Sequence, residues 1–202
     1  MTQDPSPARH QDPETEDGIR GAALRPRLAN RLRSGGCVFA EEEADLIWSA
    51  AAAGSPSPRS VSGADQDARA ADVEASAWAM VERRVAGEPL ELIVGWAEVA
   101  GVRVPTGVGV FVPRHRSDLL VGVARRRMPP PPAAGPDPTA PAAGGGPVVV
   151  DLGCGSGALG LALIADRPDT ELHAVDIDPV ATRLARSNLA GRGTVHLGDG
   201  LG

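Results

Sequence analysis

Residues 148–157, VVVDLGCGSG, constrain this chain more than any other stretch, because an apolar run of β-formers ends in an aspartate and then turns through glycines at alternate positions. Three successive valines are stiff at χ1 and favour a pleated strand. No polar residue alternates among them, so the strand is expected to be covered on both faces, as in a parallel sheet. Gly153, Gly155 and Gly157 can adopt positive φ and leave bare backbone open to a ligand. From Ser156 the apolar series Leu159, Leu161, Leu163 and Ile164 suits a helix whose N-terminus points back at the loop. A βαβ unit of the nucleotide-binding kind is expected to begin here.

Gly155, Gly157 and Gly160 also satisfy the G-x-G-x-x-G spacing of a dinucleotide site, a pattern that is weak by itself. Asp151, two positions before the first glycine, shifts the balance. Its carboxylate would repel a pyrophosphate and attract a cationic amino acid. S-adenosylmethionine carries an ammonium and a sulfonium, so D-x-G-x-G-x-G fits it better than NAD. A dinucleotide and a purely structural glycine turn stay open as alternatives. Asp176 stands 23 residues after Gly153, near the interval of about 20 at which an acid accepts hydrogen bonds from ribose hydroxyls. A turn or cap role is its alternative.

All 20 basic residues are arginine, and without lysine a Walker-type phosphate loop is excluded. The net charge of −6 argues against a chain built to coat nucleic acid. No apolar run approaches the roughly 20 residues of a membrane span, and the polar start has no signal-peptide core, so no membrane contact and a cytoplasmic location are expected. Cys37 and Cys154 are read as free thiols, Cys154 serving as a small side chain inside the loop. The histidines at 10, 115, 173 and 196 form no ligand cluster, which argues against a metal site.

Taken in order, residues 1–18 are polar and Pro-rich, and a disordered tail is expected. Residues 19–88 read as a helical domain. Leu24, Leu28 and Leu32 mark a first helix over 19–33, Leu46, Ile47 and Trp48 a second over 41–53, and Val73, Ala77, Met80 and Val81 a third over 64–85, with a loop over 54–63. Residues 89–113 suit a β-hairpin linker. In the remaining segment, 114–202, a helix over 117–127 precedes a Pro/Gly/Ala-rich insertion at 128–147 that is expected to be flexible. The strand at Val148 follows. Glu171 to Ile177 gives a second strand and Thr194 to Leu197 a third, separated by a helix capped by Asp178 and begun by Pro179. An acid then ends each strand: Asp151, Asp176 and Asp199.

Residues 83–90 (RRVAGEPL), Gly95, Gly101, residues 109–114 (GVFVPR), DLGCGSG and AVDIDPVATRLARSNL together resemble the protein-(glutamine-N5) methyltransferases that modify peptide chain release factors, the HemK-like family. The likeness covers Arg83 to Asp199. It implies an α/β chain with a small N-terminal helical domain that docks the substrate, a β-hairpin linker, and the first half (β-α-β-α-β) of a Rossmann-like S-adenosylmethionine-dependent methyltransferase sheet. By the same resemblance the cofactor is S-adenosyl-L-methionine and the partner a release factor. Asp151 would face its amino acid part, Gly153, Cys154, Gly155, Ser156 and Gly157 would line its pocket, Asp176 would meet the ribose, Asp199 with Gly200 the adenine end, and Ile177 is a further cofactor-binding candidate. Arg114 is a candidate for shaping the pocket, with an ordinary surface arginine as the alternative.

This chain departs from the family at Leu92, Val99 and the run Pro113-Arg114-His115-Arg116-Ser117-Asp118. The family's catalytic Asn-Pro-Pro-Tyr, which follows a fourth strand, does not occur in the sequence, so the resemblance implies a chain truncated before that motif and offers no catalytic residue here. Methyl transfer to a release-factor glutamine is the leading reading. A noncatalytic fragment or binding module, and an exocyclic-adenine methyltransferase of nucleic acid, are its alternatives. The missing fourth strand would leave one edge of residues 148–152 open, and self-association through that edge is expected.

Overall fold

The computed structural model describes residues 16–54, 63–114, 116–130 and 146–200. Most of the expected tail, most of the 54–63 loop, His115 and most of the 128–147 insertion lie outside these residues. The chain divides into two compact units, Met1–Val94 and Gly95–Gly202.

The first unit contains helices α1 (Glu16–Ser34), α2 (Ala40–Ala53), α3 (Gly63–Val85) and the short α4 (Leu90–Val94). Glu16, Asp17 and Gly18 therefore belong to a helix and not to a tail. Leu24, Leu28 and Leu32 recur every fourth residue, which places them on one face of α1. They are buried with Ile47, Trp48, Val73, Ala77 and Val81, whereas Leu46 and Met80, also expected in the core, are only half-buried. Gly36, at φ +89°, closes α1, and the Cys37 N–H turns back to the Leu32 carbonyl.

The RRVAGEPL segment is the C-terminal cap of α3. Gly87 takes φ +97°, and the Glu88 N–H reaches the Arg83 carbonyl. Arg83 Nε donates to Glu88 at 2.8 Å, while Arg84 forms a bidentate pair with buried Glu43 of α2 at 2.7 and 2.9 Å. The segment thus joins two helices through a fork geometry that lysine could not reproduce. Its side-chain chemistry is structural.

In the second unit, strands β1 (Trp96–Val99) and β2 (Val102–Pro105) pair antiparallel around Ala100 and Gly101, both at positive φ. The hairpin expected over 89–113 is accordingly shorter, with helix before it and an irregular strap after it. Val99 and Val104 share a buried core with Leu161, Leu172 and Leu189, so the hairpin is part of the second unit. Helix α5 (Ser117–Arg127) leads to β3 (Val148–Leu152), α6 (Ala158–Leu163), β4 (Glu171–Asp176), α7 (Pro179–Asn188) and β5 (Thr194–Leu197). The three strands form a parallel sheet in the order β3-β4-β5.

One face of this sheet is covered by α6 and α7, against which Val149, Leu172 and Ala174 pack. The opposite face corrects the expectation of cover on both sides. Val148, Val150 and Leu152 are 61%, 55% and 66% exposed, because no element among the described residues overlies them. The outer edge of β3 likewise pairs with no strand among the described residues. An apolar strand with an open edge invites pairing with another chain. The 202-residue polypeptide is expected to elute as oligomers in size-exclusion chromatography, and Val150→Lys to shift it toward the monomer. A monodisperse wild-type monomer would contradict this.

Candidate functional site

The site lies at the carboxyl ends of β3 and β4, the edge where open parallel sheets bind ligands. After Leu152 the chain turns through Gly153, Gly155 and Gly157 at φ +69°, +55° and +75°, which L side chains rarely adopt. A Cβ at Gly157 would also come within 3.0 Å of Leu189. Gly157 is therefore the N-cap of α6, and the helix expected from Ser156 starts at Ala158. Gly160 serves another purpose. A Cβ there would meet Leu172 at 3.0 Å and Asp151 at 3.2 Å, so it allows α6 to lie close on the sheet.

A cavity of about 330 Å³ opens over the loop, at the lower end of the range for small-molecule sites. One wall is Gly153, Cys154, Gly155 and Ser156, with Asp176 and Asp178 beside it. The other wall is the strap after β2, which supplies Gly109, Val110, Phe111 and Pro113. Of the residues expected at the site, Gly153, Cys154, Gly155, Ser156 and Asp176 line this cavity. Asp151, Gly157, Ile177, Asp199, Gly200 and Arg114 stand outside its lining. Arg114 lies over the Phe111 ring at 5.7 Å from its centroid, at the rim. The strap, Ser117, Ala158, Leu159, Asp178 and Ala181 are lining that sequence reasoning did not assign; the GVFVPR segment was the available signal for the strap.

Asp176 organises the loop. Its Oδ2 accepts the Gly155 N–H at 2.8 Å and its Oδ1 accepts the Asp178 N–H at 2.9 Å. A carboxylate has about four acceptor positions, so two remain for a ligand hydroxyl. Asp178 Oδ1 accepts the Val180 N–H at 2.7 Å, which makes it the N-cap of α7 as its sequence position before Pro179 suggests. Asp151 pairs in register with Ala174, two residues before Asp176, and so sits one step deeper. Its Oδ2 accepts the Gly160 N–H at 3.0 Å. Burial pushes its carboxyl above the ordinary value, the Gly160 bond opposes this, and the charge of Asp176 adds to the rise.

The Cys154 thiol is pushed up to about 12 by burial and by the charges of Asp151 and Asp176. It is a thiol and not a nucleophilic thiolate at neutral pH. Iodoacetamide at pH 8 should therefore modify native Cys154 roughly a thousandfold more slowly than the unfolded chain, as mass spectrometry would show. Because the folded value is raised, its contribution to stability is full below the unfolded value of 9.0 and is lost as the pH rises through about 12.

The loop's backbone also discriminates between ligands. Gly153 and Cys154 donate their N–H groups to the Val175 carbonyl at 2.8 and 2.9 Å, Gly157 donates to the Cys154 carbonyl, and Gly155 to Asp176. A phosphate-cradling loop needs such donors free. With the amides of Gly153, Cys154, Gly155 and Gly157 committed inward and three carboxylates around it, this loop suits a ligand that carries positive charge and hydroxyls. Ser156 contributes a buried hydroxyl with no partner among the described residues, a further group for a polar ligand to satisfy.

The comparisons agree with this geometry. The family described as "Methyltransferase small domain" matches residues 141–198. A release factor glutamine methyltransferase of Streptomyces coelicolor is 36% identical over 132 residues, 65% of this chain and 43% of that protein. One from Deinococcus radiodurans is 36% identical over 119 residues, 59% of this chain and 38% of its own length. A 4-amino-L-phenylalanine/4-methylamino-L-phenylalanine methyltransferase of Streptomyces pristinaespiralis is 32% identical over 116 residues, 57% of this chain and 37% of that protein. Fold and match point to one class: residues 141–198 match a methyltransferase domain family, and the parallel sheet of the second unit has the form of a partial Rossmann-like methyltransferase fold. Within that class the chain is similar to release factor glutamine methyltransferases, in line with the resemblance read from its motifs over Arg83 to Asp199. It spans about two fifths of the length of the curated relatives it matches.

Proposed function

We propose that the second unit binds S-adenosylmethionine and serves methyl transfer to the side-chain amide nitrogen of a glutamine in a peptide chain release factor. One observation carries the cofactor reading: Asp151, Asp176 and Asp178 surround a loop in which the N–H groups of Gly153, Cys154, Gly155 and Gly157 are already donated to the protein. Such a loop attracts a cation and offers a phosphate little. S-adenosylmethionine, when bound, supplies an electrophilic methyl on a sulfonium.

The chain's own residues bind and orient. Backbone at Gly153 to Ser156 admits the ligand closely, Asp176 accepts ribose hydroxyls while keeping the loop in shape, and Asp151 attracts the ammonium from behind the loop. Asp199 and Gly200, after β5, serve the adenine end, and Ile177 lies beside the ribose. Val110, Phe111 and Pro113 form the apolar wall opposite the loop. A glutamine amide nitrogen is a poor nucleophile because its lone pair is delocalised, so alignment with the methyl is the main contribution a protein can make. In the resembling family, alignment belongs to Asn-Pro-Pro-Tyr, which these 202 residues do not contain. In this reading the second unit holds the cofactor and the helical unit docks the release factor.

The test fuses the chain to a segment supplying Asn-Pro-Pro-Tyr and offers it radiolabelled S-adenosylmethionine with release factor, DNA and 4-amino-L-phenylalanine side by side. Label on a release-factor glutamine is expected. Label confined to DNA, or to the free amino acid named for the Streptomyces pristinaespiralis relative, overturns the substrate assignment.

A further inference from the structure

Asn188, the last residue of α7, is half-buried and joins one wall of the cavity to the start of the strap that forms the other, without lining the cavity itself. Its Nδ2 donates to the Ser156 carbonyl at 2.9 Å and to the Pro105 carbonyl at 3.0 Å. Carbonyl oxygens only accept, so the amide must present its NH₂ group to them, and both of its protons are committed. Ser156 belongs to the glycine loop. Pro105 ends β2 and begins the strap that forms the opposite wall.

The strap then follows one face of α7 toward the cavity. A Cβ at Gly107 would stand 3.4 Å from Leu184, and one at Gly109, itself at φ +86°, 3.7 Å from Val180. Asn188, Leu184 and Val180 are four residues apart and so share that face. The Val110 N–H closes a turn onto the Gly107 carbonyl at 3.2 Å, and the Val110 side chain arrives over Gly155, within 3.9 Å of where a Cβ would be. Leu184 and Val180 offer only apolar contact along this path. Asn188 supplies directed bonds, one to the glycine loop and one to the residue from which the strap departs.

We infer that Asn188 is a positioning residue that ties the strap to the glycine loop and sets the width of the cleft in which the cofactor is held. This rests on the S-adenosylmethionine reading of the cavity. Aspartate at 188 has nearly the shape of asparagine but turns a carboxylate toward two carbonyl oxygens, whereas alanine removes the tie.

The experiment combines calorimetric titration with S-adenosylhomocysteine and hydrogen exchange on the wild-type chain, Asn188→Ala, Asn188→Asp and Val110→Gly, each well below its melting temperature. For both Asn188 variants, Kd should rise about tenfold with an unchanged binding stoichiometry, and exchange should quicken in residues 106–110 and 153–157. In the Val110→Gly background, where the strap no longer reaches the loop, adding Asn188→Ala should change Kd less than about twofold. A merely structural asparagine would lower the stoichiometry through unfolding and leave Kd alone, which overturns the inference. So would exchange unchanged in both segments. Should the wild-type chain bind no S-adenosylhomocysteine, the cofactor reading falls, and exchange in the two segments still decides whether Asn188 joins them.

Discussion

Asp176→Ala is expected to weaken S-adenosylmethionine binding at least about a hundredfold, the largest effect of any single substitution at this site. Two losses combine. The carboxylate accepts N–H groups from Gly155 and Asp178, so its removal frees the loop from β4 and loosens the turn into α7. It also removes the acceptor positions assigned to the ribose. Hydrogen bonds to a charged group contribute about 1.5–3 kcal/mol each, and two of them amount to roughly a hundredfold or more. Asp176→Asn keeps the shape and one acceptor oxygen, so its loss should be nearer tenfold. Calorimetric titration of the three proteins measures this, and an alanine variant that binds like wild type would remove Asp176 from the site.

Asp151→Asn is expected to act in opposite directions on stability and on binding. In the folded chain the Asp151 carboxyl is raised, chiefly by burial, which means that the ionised form is disfavoured there. The sign of the linkage follows. A raised group contributes stability below its unfolded value, and that contribution is lost as the pH rises through the folded value. At neutral pH the buried charge therefore opposes folding. Asparagine removes the charge and still offers an oxygen to the Gly160 N–H, so the melting temperature at pH 7 should rise by roughly 2–4 °C, with the difference shrinking as the pH falls toward about 4. Cofactor affinity should fall about tenfold, because the attraction for the ammonium goes with the charge. Melting curves at several pH values and one titration check both halves. A variant that is less stable and binds normally would mean that Asp151 is a structural acceptor for Gly160 alone.

Local chemistry made much of this readable before any coordinates. Asp178 before Pro179 is a cap by residue type, the alternate glycines specify a turn of positive φ, and the leucines at 24, 28 and 32 define a helix face. Residues 83–90 could be recognised as a signature, but their physical use, a glycine-closed helix end with Arg84 forked onto Glu43, depends on a partner 41 residues away. The strap presents the same difficulty. It has no periodicity of its own, and its course is set by Asn188, Leu184 and Val180 on a helix more than 70 residues later. Valine is equally at home on a covered and an uncovered strand, so residues 148–150 could not reveal which face of β3 lies bare. Asp151 could be placed at a strand end by sequence, but its depth below Asp176 follows from the parallel register.

Titration of the wild-type 202-residue chain with S-adenosylmethionine, S-adenosylhomocysteine and NAD in parallel tests the cofactor reading most directly. One molecule of either sulfur compound should bind per chain, at the expense of the other in competition, while NAD gives no heat at the same concentrations. Binding of NAD, or no binding of either sulfur compound at millimolar concentration, would contradict the account.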